Sequence, residues 1–191
     1  MKAELFILGV LHRGNFHPYE IRRRLRNAMI ECYTNVDVGT LYYAIRQLEK
    51  QELIAAVSRE VSARGGARTV YRITASGRRR FQALLFEQLE AAGSVSQTLY
   101  GALLFLHLAD QSAVAQCLRQ RIAAQNQRIA ELDAVRERLQ PVLGTGGRYL
   151  LRHLELQRRL DRKWLRALLA DVQAGKVRDV ADPKLLAAQR S

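Results

Sequence analysis

The chain has 191 residues, 48% of them hydrophobic, and a formal net charge of +13, which allows a sizeable core in one large domain or two small ones. That balance points to a polyanionic partner, nucleic acid first, but residues 1–90 hold 15 Lys and Arg against 9 Asp and Glu and residues 91–191 hold 16 against 9, so charge alone does not locate a site. Cys32 and Cys117 are too far apart to imply a disulfide framework, residues 1–11 lead into His12-Arg13 without a small-residue cleavage site, and the longest apolar stretch, residues 99–109, falls short of the roughly 20 residues a bilayer span needs. The expectation is a soluble protein of a reducing cytoplasm, with no membrane partner.

Residues 4–11 read as a compact helix, with Leu5, Phe6, Leu8, Val10 and Leu11 on a wide apolar arc and Arg13-Gly14-Asn15 as its turn. Pro18 suits a first helical position after a His17 cap, and Ile21, Leu25, Ala28 and Met29 mark the packed face of a second helix. Arg22, Arg23, Arg24 and Arg26 cover the rest of that helix. Such a run serves equally as a solvated face, unless the helix lies across a phosphate backbone.

A connection over residues 31–36 leads to a third helix, for which Asp37 is a suitable N-cap and Val38 the start. Leu41, Ala44, Ile45 and Leu48 share one narrow face, while Gly39, Thr40, Tyr43, Arg46, Gln47 and Lys50 share the opposite one. One side packs and the other presents mixed hydrogen-bonding groups. The pattern fits the second helix of a helix-turn-helix, whose N-terminal part enters the DNA major groove, and it also fits an ordinary amphipathic helix. The flanking segments decide between them.

Beyond that helix the period changes to two. Val57, Arg59 and Val61 alternate with Ser58, Glu60 and Ser62, Arg64-Gly65-Gly66-Ala67-Arg68 interrupts, and TVYRIT resumes at Thr69. This predicts a hairpin with an arginine on each side of a glycine tip, suited to a phosphate backbone. Residues 78–89 follow as a helix with Phe81, Leu84, Leu85 and Leu89 as its stripe. Three helices, a hairpin and a further helix make a winged helix-turn-helix over residues 1–90.

Residues 91–175 predict a helical domain and residues 176–191 a loosely ordered tail. Residues 94–108 would form its first helix. From Leu118 the seam Leu118, Ile122, Gln125, Ile129, Leu132, Arg136, Leu139 steps by fours and threes, as a helix packed along another requires. After a break at Pro141, Gly144, Gly146 and Gly147, residues 149–172 are apolar around more than half of the circumference, with Leu150, Leu151, Leu154, Leu156, Leu160, Trp164, Leu165, Leu168, Leu169 and Val172. One neighbour cannot cover so wide an arc, so a partner subunit is expected on the second side.

These residues also resemble a family. GTLYYAIRQLEKQELI followed by RTVYRITASGRRRF, preceded by the short first helix and HPYEIRRRL, is similar to the PadR family of bacterial transcriptional regulators. The resemblance covers about the first ninety residues. One departure is visible: the family usually has Gly just before the Leu-Ile pair, and this chain has Glu52. The resemblance implies a mainly helical protein with a small β-hairpin wing and a C-terminal helical dimerisation domain. It further implies a homodimeric regulator, most often a repressor, that binds double-stranded DNA and responds to a small aromatic or apolar effector.

Roles follow from placement. Thr40, Tyr43, Arg46 and Gln47 are expected at base edges or nearby phosphates, since Arg bonds guanine and Gln adenine in the major groove. Tyr42, on the flank, is assigned by the resemblance to packing or phosphate contact. Arg22, Arg23, Lys50, Arg64 and Arg68 are expected at the backbone. Leu118, Ile122, Ile129, Leu132, Leu150, Leu154, Leu165 and Leu168 are assigned to dimerisation, and Trp164 is either core or the wall of an effector pocket. His12, His17, His107 and His153 stand at no metal-ligand spacing with either cysteine, and no phosphate loop, nucleophile elbow or carboxylate pair is recognisable, so neither an enzyme nor a cofactor is expected. The alternatives are a helical protein-interaction module and a nonspecific architectural DNA binder.

Overall fold

In the computed structural model the described residues are 2–28, 30, 40–61 and 67–179. Asp37, Val38, Arg64 and the Gly65-Gly66 tip, along with residues 180–191, lie outside them. The chain divides into two compact units, Met1–Phe105 and Leu106–Ser191.

The first unit begins with α1 (Lys2–Leu11), whose Leu5, Phe6, Ile7 and Leu8 are almost completely buried. Next, α2 (Pro18–Asn27) starts as its sequence dictates, with Pro18 in the first turn and the His17 imidazole Nδ1 accepting the Tyr19 amide at 3.1 Å. Helix α3 (Leu41–Lys50) buries the expected stripe of Leu41, Ala44, Ile45 and Leu48, and packs against both α1 and α2. Strands β1 (Ile54–Val61) and β2 (Ala67–Ile73) pair antiparallel from Ile54 opposite Ile73 to Val61 opposite Ala67. A bulge between Ala56 and Ser58 leaves Val57 unpaired and exposed, interrupting the strict alternation that the sequence predicts. Phe16 adds a third line of pairing: its amide and carbonyl both bond Tyr71, each at 3.0 Å.

The departure at Glu52 has a structural counterpart. Glu52 sits between α3 and β1 with φ 57°, in the left-handed region where glycine is at no disadvantage. Thr74 holds this turn together. Its amide donates to Leu53 O, and its hydroxyl proton is shared between the carbonyls of Glu52 at 2.8 Å and Leu53 at 3.0 Å. The same hydroxyl accepts the Gly77 amide at 3.0 Å and so caps α4 (Ala75–Glu90). Any Cβ at Gly77 would stand 2.0 Å from Leu53 O, which gives the Thr-x-x-Gly ending its physical reason.

The segment expected to begin the second domain instead completes the first. It forms two single turns, α5 (Val95–Thr98) and α6 (Tyr100–Leu103), with Leu99 and Ala102 fully buried and α6 against α4. Phe105 closes the core, lying edge-on to Phe81 at 5.6 Å, 6.0 Å from Phe6, and over Gly9, where a Cβ would meet the ring at 2.3 Å. The change of unit therefore falls after Phe105 rather than after residue 90.

In the second unit α7 (Gln111–Leu139) and α8 (Thr145–Gln173) pack along each other as a hairpin. Asp110 caps α7: its Oδ1 accepts the Ser112 hydroxyl and the Ala113 amide, and these two bonds hold its carboxyl below the usual range. Gly146 and Gly147 lie inside the first turn of α8 rather than in the break. Gly175, with φ 72°, ends that helix in a left-handed cap.

Candidate nucleic-acid interface

The buried stripe of α3 fixes which residues face away from the core. Tyr43 is 58% exposed and Tyr42 40%, Thr40, Arg46 and Lys50 are exposed, and Gln47 is half-buried. A guanidinium, an ammonium, a carboxamide and two phenols thus share the exposed surface of one ten-residue helix, with the Thr40 hydroxyl at its N-cap. These groups can bond base edges and phosphates.

Helix α2 supplies the adjoining arginines, and their geometry sorts them. Glu20 ties down two: Arg23 Nη2 lies 2.8 Å and Arg24 Nε 3.0 Å from its carboxylate. Arg24 also rests over the Phe16 ring, 4.2 Å from its centre, so this arginine joins α2 to the strand-like segment beside β2. Arg22 is half-buried, and its Nε has no hydrogen-bond partner among the described residues. Arg68 belongs to β2. Arg64 lies outside the described residues.

Sequence reasoning missed two residues here. Tyr71 donates its phenol to Glu49 Oε2 at 2.9 Å, fastening the hairpin to α3 across 22 positions of chain. Only the inward phase of TVYRIT hinted at it. Tyr19, in the first turn of α2, is 61% exposed and extends the aromatic surface of α3 in kind; its place next to Pro18 was the available signal.

In the C-terminal unit the nominated seam is used within one chain. Leu118, Ile129 and Leu165 are buried between α7 and α8, and Ile122, Leu132, Leu154 and Leu168 are half-buried. Of the eight residues assigned to dimerisation, Leu150 is exposed. The exposed apolar residues of α8 are Tyr149, Leu150, Leu156, Leu160 and Trp164. At 100° per residue Tyr149, Leu156, Leu160 and Trp164 fall within an arc of about 80°. Trp164 therefore stands on an outward stripe of α8.

The seam also carries charge. Glu155, buried on α8, accepts Arg136 Nη1 at 2.8 Å and Arg159 Nε at 2.7 Å. Burial works against its charged form, but the Arg159 hydrogen bond and the charges of Arg136, Arg159 and Arg152 outweigh it and hold the carboxyl below the usual carboxylate range. Asp133 completes the group, 3.5 Å from Arg136 and 3.4 Å from Arg159. At the hairpin end a cavity of about 500 Å³ is lined by Arg136, Gln140, Leu143, Arg148, Tyr149, Leu151 and Arg152. Trp164 is not part of its wall.

Among the described residues no helix is long and apolar enough to cross a membrane, and no group of three His, Cys, Asp or Glu is placed to hold a metal ion.

Comparison with known proteins bears on residues 7–83, which match the transcriptional regulator PadR-like family. No curated protein matches the chain. Among solved structures, Bacillus subtilis PadR in complex with operator DNA aligns with 88% of this chain and 98% of its own, at 16% identity and a TM-score of 0.42. The PadR-like transcriptional regulator BC1756 from Bacillus cereus aligns with 91% of this chain and 99% of its own, at 19% identity and a TM-score of 0.36. Bacillus subtilis PadR in complex with p-coumaric acid covers 91% and 99%, at 14% identity and a TM-score of 0.38.

Proposed function

Because residues 7–83 make this chain a member of the transcriptional regulator PadR-like family, a family of DNA-binding regulators, we propose that it represses transcription as a homodimer on an inverted-repeat operator and is released by a small organic effector. The observation that carries the reading is the division of α3: an apolar stripe fixed in the core, and Tyr43, Arg46 and Gln47 turned away from it. In this reading Thr40, Tyr43, Arg46 and Gln47 meet base edges or adjacent phosphates, and Tyr42, Lys50, Arg22, Arg23, Arg64 and Arg68 meet the backbone.

A two-fold partner gives the exposed stripe of α8 its reason. Tyr149, Leu156, Leu160 and Trp164 are apolar, outward and spaced for a second helix. Joining two recognition helices links two weak half-site contacts into one specific one, with half-sites about 34 Å apart.

Selection of genomic fragments by the full-length protein, at roughly 150 mM salt to weaken nonspecific attraction, tests the reading. The expected result is an enriched inverted repeat, and Gln47→Ala relaxes preference at one base pair per half-site by about 1–3 kcal/mol. Retention without a motif favours an architectural DNA binder. Absence of retained DNA favours a protein-interaction module.

A further inference from the structure

A two-stranded sheet has little stiffness of its own, so the direction of the hairpin is set where it joins the rest of the first unit. The register places that junction. Beyond the bulge lie the pairs Ser58 with Val70, Arg59 with Thr69, Glu60 with Arg68 and Val61 with Ala67, which form the arm of the wing. Strands bend at bulges, so the ladder alone leaves the angle between the arm and α3 open. The last pair before the bulge is Ala56 with Tyr71, and Tyr71 is 8% exposed and held by more than its ladder. Its amide and carbonyl both bond Phe16, whose ring carries Arg24 of α2, and its phenol donates to Glu49 in the last turn of α3 at 2.9 Å. One residue thus joins the root of the wing to both helices of the helix-turn-helix. Glu49 is the unusual member. A carboxylate on a helix that meets phosphates opposes binding unless it is turned away, and a phenol holds it toward the hairpin without occupying a cation. Glu20 on α2, by contrast, occupies two arginines.

We propose that Tyr71, through its bond to Glu49, is a positioning residue for DNA: it fixes the angle between wing and α3, so that the arm reaches the backbone outside the base pairs that α3 meets. What the arm touches rests on the regulator reading; the fastening of the arm does not.

The test compares the full-length parent with Tyr71→Phe, Glu49→Gln and Glu49→Leu on the selected fragments, by hydroxyl-radical footprint and by the salt dependence of affinity. The two Glu49 variants carry the same charge, but only glutamine still offers an oxygen to the phenol. Tyr71→Phe and Glu49→Leu lose the outer edge of each protected tract, bind about tenfold more weakly and lose about one phosphate from the salt slope. Base preference at the α3 contacts is unchanged in both, and Glu49→Gln keeps the parent footprint. In the free protein, hydrogen exchange over residues 58–61 and 67–70 is about tenfold faster in Tyr71→Phe and unchanged over residues 41–50, which separates a loosened arm from a lost fold. A parent footprint retained by Tyr71→Phe, or Glu49→Gln and Glu49→Leu behaving alike, overturns this role and leaves the regulator reading intact. Fragments retained without a common motif, with the salt slope still lowered in Tyr71→Phe, uphold the role and overturn the inverted-repeat reading. A parent that retains no DNA overturns both.

Discussion

The two units of this chain solve the same problem with different chemistry. The first closes around aromatic rings, with Phe105 against both Phe6 and Phe81 and over Gly9, and the α3 stripe almost wholly excluded from water. The second joins two 29-residue helices through a narrow line of Leu118, Ile129, Leu165 and Val172, supplemented by buried Gln125, Arg121 and the Glu155 ion cluster. Burial pushes the Arg121 guanidinium down from its ordinary value, against the attraction of Asp161. The first unit leaves outward the polar groups of α3 and the phenols of Tyr19, Tyr42 and Tyr43. The second leaves Tyr149, Leu156, Leu160 and Trp164 in water, and is the unit to which the proposed function assigns the partner.

Four substitutions would break or sharpen this contrast. Phe105→Ala removes the ring that closes the first core, and denaturation of the full chain should show a loss of about 3–5 kcal/mol confined to the first unit. A loss below about 1 kcal/mol would mean that the segment after α4 is not integral to that core. Leu160→Glu places a charge in the centre of the outward stripe and changes nothing in the seam. Sedimentation should show a dimer weakened by roughly 100-fold, about 3 kcal/mol, with helix content unchanged.

Glu155→Gln acts on the seam rather than on the stripe. Arg136 and Arg159 are 44% and 42% exposed, so solvent screening limits the loss at neutral pH to about 1 kcal/mol. The sign in pH follows from the lowered folded value: the difference from the parent is full above about pH 5, and closes as pH falls through that lowered value and the carboxyl takes up a proton. A difference constant from pH 7 to pH 3 would contradict the ion cluster. The smallest effect is expected of Glu52→Gly, which relieves a left-handed conformation but adds freedom to the unfolded chain, for a net gain of about 0.5–1 kcal/mol in thermal unfolding.

The first unit was the more legible of the two, for a physical reason. Leu41, Ala44, Ile45 and Leu48 bury a single face, so periodicity identified the core side of α3, and the His17-Pro18 start was fixed by local backbone chemistry. Phe105 and Gly101 escaped because their partners lie far away in sequence. Gly101 stands against Gln88 and Phe6, where a Cβ would come within 2.7 Å and 3.2 Å of side-chain atoms, and no local pattern reports such a fit. The departure at Glu52 was visible in sequence, but its turn is held by Thr74, 22 positions away. In α8 the wide apolar arc did not say which of its residues α7 would cover. Leu165 meets α7 and Leu160 meets water, a choice made by packing rather than by hydropathy. The candidate DNA contacts were legible as a face; their pairing with particular bases was not, because hydrogen-bonding potential does not name the sequence it meets.

The most direct test of the central claim is a hydroxyl-radical footprint of the full-length protein on a selected DNA site. The account predicts two protected tracts related by a two-fold axis, with centres about one helical turn apart, and their simultaneous loss on Leu160→Glu. A single protected tract, or uniform protection without register, would contradict it.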